Sequence, residues 1–266
     1  MMVAAPRSLE GSAGLARGRV LAVVGAKGGC GSSMLALNLA AAMEPPEDVC
    51  VLDLEFTRGD LVGFLDLPPR GSIREAVEAG PRLDTALLRG SVTVHPAGFS
   101  LLGQPYDLRE LLRVDAREVE HLLRVATEAW PVVVADCGTN IDEAFLGALR
   151  RADRVLVVTT SAITALRDAV RLLALLRGVG VESDRVDVVV NRWRSNESLS
   201  MHDIAERLGH APLALFPEDE KACRLAEEEG RLLREGSPGS RLVREIARAA
   251  SVLTASLSTT TARSPA

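Results

Sequence analysis

The stretch that most constrains this chain is Val20–Met43, VLAVVGAKGGCGSSMLALNLAAAM. Five consecutive aliphatic or small residues, Val20 to Val24, read as a strand buried on both faces. From Ser32 onward the apolar residues Leu35, Leu39 and Met43 recur at helical spacing. Between strand and helix lies a loop with Gly25, Gly28, Gly29 and Gly31. Glycine lets backbone N–H groups approach a bound anion, and the following helix aims its positive dipole end at the same point. The loop therefore reads as a phosphate cradle. Taken alone, it also fits a glycine turn that joins strand to helix and holds nothing.

The rest of the chain repeats the alternation of strand and helix. Val49–Leu54, Pro131–Asp136, Arg154–Thr160, Val186–Asn191 and Leu213–Phe216 are further buried strands. Val92–Val94 and Phe99–Leu102 flank Pro96-Ala97-Gly98 as a hairpin or as two short strands. Ser72 is a candidate N-cap with Glu75 three residues on, Asp115–Trp130 and Ala162–Arg177 are helices, and Leu242, Ile246, Ala249 and Leu253 form the stripe of a last one. Tyr and Phe are scarce, so the core is built from Val, Leu, Ala and Ile. The expected fold is α/β, a doubly wound, mostly parallel sheet of about seven strands with helices on both faces. The expected organisation is a disordered tail over residues 1–19, one domain over 20–254, and a mostly polar disordered tail over 255–266. A dinucleotide-binding dehydrogenase is disfavoured because no G-x-G-x-x-G occurs.

The order of residues in the loop narrows the chemistry. A standard nucleotide loop reads G-x-x-x-x-G-K-[ST], with the lysine on the β and γ phosphates and the hydroxyl on Mg²⁺. Here Gly31 is followed by Ser32 and Ser33, so Ser33 keeps the hydroxyl, Ser32 stands where the lysine should be, and Ala26 replaces the first glycine. Lys27 survives, in the order Lys27-Gly28-Gly29-Cys30-Gly31. That order resembles the deviant Walker A loop, KGGxGK[ST], of the MinD/ParA family of dimerising ATPases. Within it, the loop looks most like the CpaE/TadZ branch of pilus-assembly proteins and the related septum-site-determining (Ssd-like) proteins, in which the second lysine is often a small hydroxyl residue.

The resemblance implies a P-loop NTPase of SIMIBI type that binds ATP and Mg²⁺. Asp53-Leu54-Glu55-Phe56-Thr57-Arg58-Gly59-Asp60 is similar to the family's switch I, D-x-D-x-x-x-G-D, with Glu55 in place of the second aspartate. By resemblance Asp53 and Glu55 order the attacking water and the metal shell, and Lys27 reaches the phosphates bound by a partner subunit. Asp136 closes a Walker B strand, holding magnesium with Ser33 and Asp53, and Cys137-Gly138-Thr139-Asn140 is switch II. Gly28, Gly29, Cys30, Gly31, Ser32 and Ser33 cradle the phosphates. Asn191 and Arg192 match the family's adenine-reading pair, since an amide offers adenine both a donor and an acceptor; Pro217, within Phe216–Asp219, walls the base. On the residues alone, Asp53 also fits a turn cap, Asn191 a strand-end turn and Lys27 a solvated loop charge.

Charge and cysteine usage bound the partners. There are 31 Lys plus Arg against 36 Asp plus Glu, a net charge of -5, which disfavours a dedicated nucleic-acid binder. Cys30, Cys50, Cys137 and Cys223 are far apart with no C-x-x-C pair, as in reduced cytoplasmic proteins. No apolar run approaches the ~20 residues of a membrane span. The last helix reads as docked on the core, its stripe narrower than that of a membrane-seeking helix, although peripheral contact with the inner membrane face or a cell pole stays open. The expected function is a nucleotide-dependent spatial regulator for a pilus, secretion or septum-site apparatus, an ATP-linked homodimer with slow or no hydrolysis. Two alternatives stand beside it: a degenerate scaffold acting through protein contacts alone, and, less favoured by charge, a ParA-like DNA-partitioning ATPase.

Overall fold

Each aliphatic run becomes a strand, and the strands join in one sheet because their side chains are buried on both faces. The computed structural model describes residues 17–57, 59, 61–105, 113–194 and 199–259. Its strands are β1 (Arg19–Gly25), β2 (Val49–Asp53), β3 (Thr93–Val94), β4 (Ser100–Leu102), β5 (Val132–Asp136), β6 (Arg154–Thr160), β7 (Val186–Trp193) and β8 (Ala214–Pro217). They lie in the order β3-β4-β2-β5-β1-β6-β7-β8. All neighbours are parallel except β3 with β4. The count is eight where about seven was expected, because the hairpin around Pro96-Ala97-Gly98 adds a two-residue antiparallel edge.

The helices are α1 (Ser32–Ala42), α2 (Leu61–Phe64), α3 (Ile73–Ala79), α4 (Thr85–Ser91), α5 (Ala116–Ala129) and α6 (Glu143–Arg151). They continue with α7 (Ile163–Gly178), α8 (Met201–Leu208), α9 (Glu220–Glu228), α10 (Leu233–Gly236) and α11 (Arg241–Thr259). Successive residues of a strand point to opposite faces, and β1 divides accordingly. Val20, Ala22 and Val24 pack with α3 to α8, whereas Leu21 and Val23 pack with α1, α2 and α9 to α11. Ser72 and Asp115 close capping boxes with Glu75 and Glu118, which fixes where α3 and α5 begin.

Two boundaries differ from the sequence reading. The chain is already in β1 at Arg19, and α11 runs to Thr259, past the expected end of the domain at 254. Leu257 is the reason: it extends the stripe of Leu242, Ile246, Ala249 and Leu253 and is 1% exposed, so a further turn of helix stays docked. The rest of the expected tails, residues 1–16 and 260–266, lies outside the described residues, as do Arg58 and Asp60 of the switch I pattern. Periodicity did not mark α6, α8 or α9, which are only eight or nine residues long. No helix among the described residues is long and apolar enough to cross a membrane.

The connectivity places the site. From β1 the chain passes to β2 on one side, and from β5 it passes to β6 on the other. Strand order thus reverses about β1, and the crevice of such a sheet opens beyond the carboxyl ends of the strands at that point. Gly25, Asp53 and Asp136 all stand at those ends.

Candidate functional site

The glycine loop leaves β1 and enters α1 through Gly31, which is in the left-handed region at φ 88. A side chain there would also strike the Asn191 amide, so residue 31 is confined to glycine by conformation and by space. No side chain caps the start of α1 and no acidic residue stands in its first turn. Its leading N–H groups are therefore free for an anion. Nothing lies within 4 Å of where side chains at Gly28 and Gly29 would begin, so the cradle is open there. Ser32 is buried, and its short hydroxyl brings no cation to the loop.

Beneath the loop the parallel register of β2 and β5 sets Asp53 opposite Asp136. Both side chains are buried, at 0% and 1% exposure. The Leu61 and Glu55 N–H groups donate to the two oxygens of Asp53 at 3.1 and 3.3 Å. Gly138 N–H donates to Asp136 Oδ1 at 3.3 Å, and the Ser33 hydroxyl also serves this carboxylate. Asp136 Oδ2 has no hydrogen-bond partner among the described residues. Burial raises the Asp136 pKa to about 6 against the Ser33 and Gly138 hydrogen bonds, with a smaller upward push from Glu55. Burial, then the charge of Asp136, raises Asp53 as well. Two buried carboxylates side by side, one with an orphaned oxygen and a hydroxyl beside it, are a donor set for a hard divalent cation. No cluster of three or more His, Cys, Asp or Glu gathers among the described residues, and Mg²⁺ is commonly held by one or two carboxylates together with a phosphate. Ser33, Asp53 and Asp136 fit that requirement.

Lys27 and Glu55 are both engaged within the chain. Lys27 Nζ lies 3.6 Å from Asp168 Oδ2 on α7, with its side chain half-exposed. Asp168 also faces Arg171 at 3.4 Å. Nothing in the sequence marked Asp168. Glu55 turns its carboxylate to the segment after β5, where it accepts from Thr139 N–H and the Asn140 amide. Gln104, also unmarked, donates to the Asp53 carbonyl at 2.6 Å.

A cleft of about 630 Å³ opens beside the loop, lined by Gly31, Ser33, Asn191, Arg192 and Pro217 among others. It gathers the residues assigned to the base from β7 and β8 and sets them beside the glycine loop. The pairing of β7 with β8 shifts register between Val190 and Trp193, and Arg192 takes the left-handed region at φ 54. Asn191 is buried and donates its amide to the Cys30 carbonyl at 2.9 Å. One of its two N–H donors is thereby occupied, which leaves the other and the amide oxygen, the latter able to accept from an exocyclic amine such as adenine's. Phe64, Leu242 and the α9 residues Cys223, Arg224 and Glu227 also line the cleft. The N-cap Asp219, which accepts from Ala222 N–H at 3.0 Å, was the available signal for α9. All four cysteines are free thiols.

No protein-family model matches the chain. It is similar to a septum site-determining MinD protein of Chlorella vulgaris, 30% identical over 210 residues that cover 76% of this chain and 72% of that one. The crystal structure of a ParA family ATPase from Chlorobium tepidum superposes with a TM-score of 0.81 at 27% identity, over 87% of this chain and 98% of that chain. The septum site-determining protein MinD of Pyrococcus horikoshii, solved with Mg-ADP, shares the fold: TM-score 0.75 at 18% identity, over 88% and 95% of the two chains.

Proposed function

This chain belongs to the MinD/ParA family of ATPases, and on that footing we propose that it is a nucleotide-dependent spatial regulator, binding Mg²⁺-ATP between two copies of itself. The observation that carries this reading is the buried Asp136 Oδ2, without a partner among the described residues, beside Asp53 and Ser33. Bound Mg²⁺ supplies a positive charge to the β and γ phosphates. Gly28, Gly29, Cys30 and Gly31 cradle those phosphates with Ser32, Ser33 holds the metal with Asp53 and Asp136, and Asp53 orients an attacking water. Asn191, Arg192 and Pro217 hold the base. The Mg-ADP carried by the Pyrococcus horikoshii relative supports the choice of ligand. Within the family we place the chain nearest the CpaE/TadZ and septum-site branch, because Ser32 replaces the loop's second lysine. It would work in the cytoplasm, positioning a pilus, secretion or septum-site apparatus.

Dimerisation follows from where the cation is. Lys27 is the only lysine of the loop, and in the family pattern it reaches the partner's nucleotide, acting as an arginine finger does in trans. Leaving Asp168 costs little, since an ion pair this exposed contributes about 0 to 1 kcal/mol. Ile163, on the first turn of the helix that carries Asp168, and Ile141, just after switch II, are 63% and 57% exposed, which suits a face that meets another protein. Light scattering with a non-hydrolysable ATP analogue should show dimers that ADP does not induce and that Lys27→Ala abolishes. Dimerisation indifferent to nucleotide and to Lys27→Ala would overturn the trans role.

A second reading has its own support. With Ser32 uncharged and Lys27 paired to Asp168, the loop of one copy presents no uncompensated cation to a phosphate. A scaffold that acts through protein contacts alone would bind neither ATP nor ADP.

A further inference from the structure

Glu55 departs from the family pattern by one methylene, and the structure shows what that methylene reaches. Its Oε1 accepts from Thr57 N–H at 3.1 Å and from the Asn140 side-chain amide at 3.0 Å, while Oε2 accepts from Thr139 N–H at 3.3 Å. Asn140 Nδ2 also donates to Thr57 Oγ1 at 2.8 Å, so the two segments are tied by side chains from both. A group receiving three N–H donors on two oxygens must be a carboxylate: an amide in its place would set its own N–H₂ against a donor. An aspartate would fall about 1.5 Å short, which takes the Thr139 contact out of hydrogen-bond range.

The opposite segment is shaped to receive this carboxylate. Gly138 sits at φ 59, and a Cβ on it would overlap Glu55 Oε2. The position is therefore closed to a side chain both by backbone conformation and by the carboxylate that lies against it. Glu55 is anchored from behind as well, its N–H on Asp53 Oδ1 at 3.3 Å and its carbonyl accepting from Gly59 N–H at 2.8 Å. Asp53 and Asp136 precede the two clasped segments directly.

We propose that Glu55 is a positioning residue that clasps the segment after β2 to the segment after β5, so that the two move as one unit when the metal and phosphate site changes state. Its carboxylate is spent on switch II and does not orient water. The clasp itself stands on the contacts above; its coupling to nucleotide rests on the proposed function. A ligand sensed at either segment is then felt by both.

Hydrogen exchange read by mass spectrometry over residues 55–57 and 138–142 tests it on the full chain. Without nucleotide, Glu55→Gln and Glu55→Asp should both raise exchange in the two segments about tenfold, the loss of one or two hydrogen bonds, and leave exchange in β1 and β6 unchanged. Asn140→Ala, a change at an exposed side chain, should do the same to a smaller degree and serves if a Glu55 variant fails to fold. With increasing Mg²⁺ and a non-hydrolysable ATP analogue, the wild-type segments should gain protection at one shared midpoint, and the Glu55→Gln segments at two. Unchanged exchange in Glu55→Gln, or in Asn140→Ala where that variant is the one used, overturns the clasp; a single midpoint in Glu55→Gln overturns its coupling role. Loosening by Glu55→Gln with no nucleotide response in any chain would support the clasp and count against the proposed function instead.

Discussion

Asp153 and Asp187, near the leading ends of the strands, and Asp53 and Asp136, at their trailing ends, are carboxylates of one sheet in opposite surroundings. Asp153 is met by Arg19 at 3.1 Å and by Val20 N–H at 2.8 Å, and Asp187 takes both Nε and a terminal nitrogen of Arg154, at 3.1 and 2.6 Å. Asp53 and Asp136 face each other, more deeply buried, with N–H and hydroxyl donors and an oxygen left over. A pair at the leading ends answers its own charge and holds strands together. The trailing ends find no cation among the described residues, and such a deficit marks a ligand site in a fold that otherwise satisfies its polar groups.

The contrast breaks most visibly at Asp136. Asp136→Asn should lower Mg²⁺-dependent ATP affinity about a hundredfold, the loss of a charge-assisted contact, and stabilise the metal-free protein by about 1 kcal/mol because a buried, poorly compensated charge is gone. Calorimetric titration and denaturant unfolding without metal read the two effects, and a destabilised variant would mean that the carboxylate is structural. At the other end the sign reverses. Arg154→Ala strands Asp187 and should cost about 2 kcal/mol in urea unfolding, with nucleotide affinity unchanged. Equal effects of both variants on binding would erase the distinction. Asn191→Ala sharpens it least: if Asn191 reads adenine as proposed, ATP affinity should fall about tenfold and its preference over GTP should shrink, since the accepting amide oxygen is lost.

Much of this contrast was legible in the sequence because it is local. An aliphatic run ending in Asp53 or Asp136, or in glycines ahead of Ser32 and Leu35, names a strand, its trailing end and the residue there within a few positions. The parallel sheet follows from the alternation of such runs with helices, and the two-residue β3 falls where the sequence allowed either a hairpin arm or a separate short strand. Contacts between distant segments were not legible. Asn140 is 85 residues from Glu55, and no periodicity links Lys27 to Asp168. Glu55 therefore reads as a lengthened aspartate until Thr139 and Asn140 are seen around it. The short helices α8 and α9 escaped because each buries only two side chains, and α6 because its buried face is mostly Ala and Gly over nine residues. The overrun of α11 turned on the single apolar residue Leu257.

The central claim is that a loop without its second lysine still holds Mg²⁺-nucleotide through Ser33, Asp53 and Asp136. Isothermal titration of the purified chain with ATP, in Mg²⁺ and in excess chelator, tests it most directly. The account predicts saturable binding at sub-millimolar ATP with Mg²⁺ and at least tenfold weaker binding in chelator. No heat with ATP or ADP at millimolar concentration in Mg²⁺ would contradict it and leave the scaffold reading in its place.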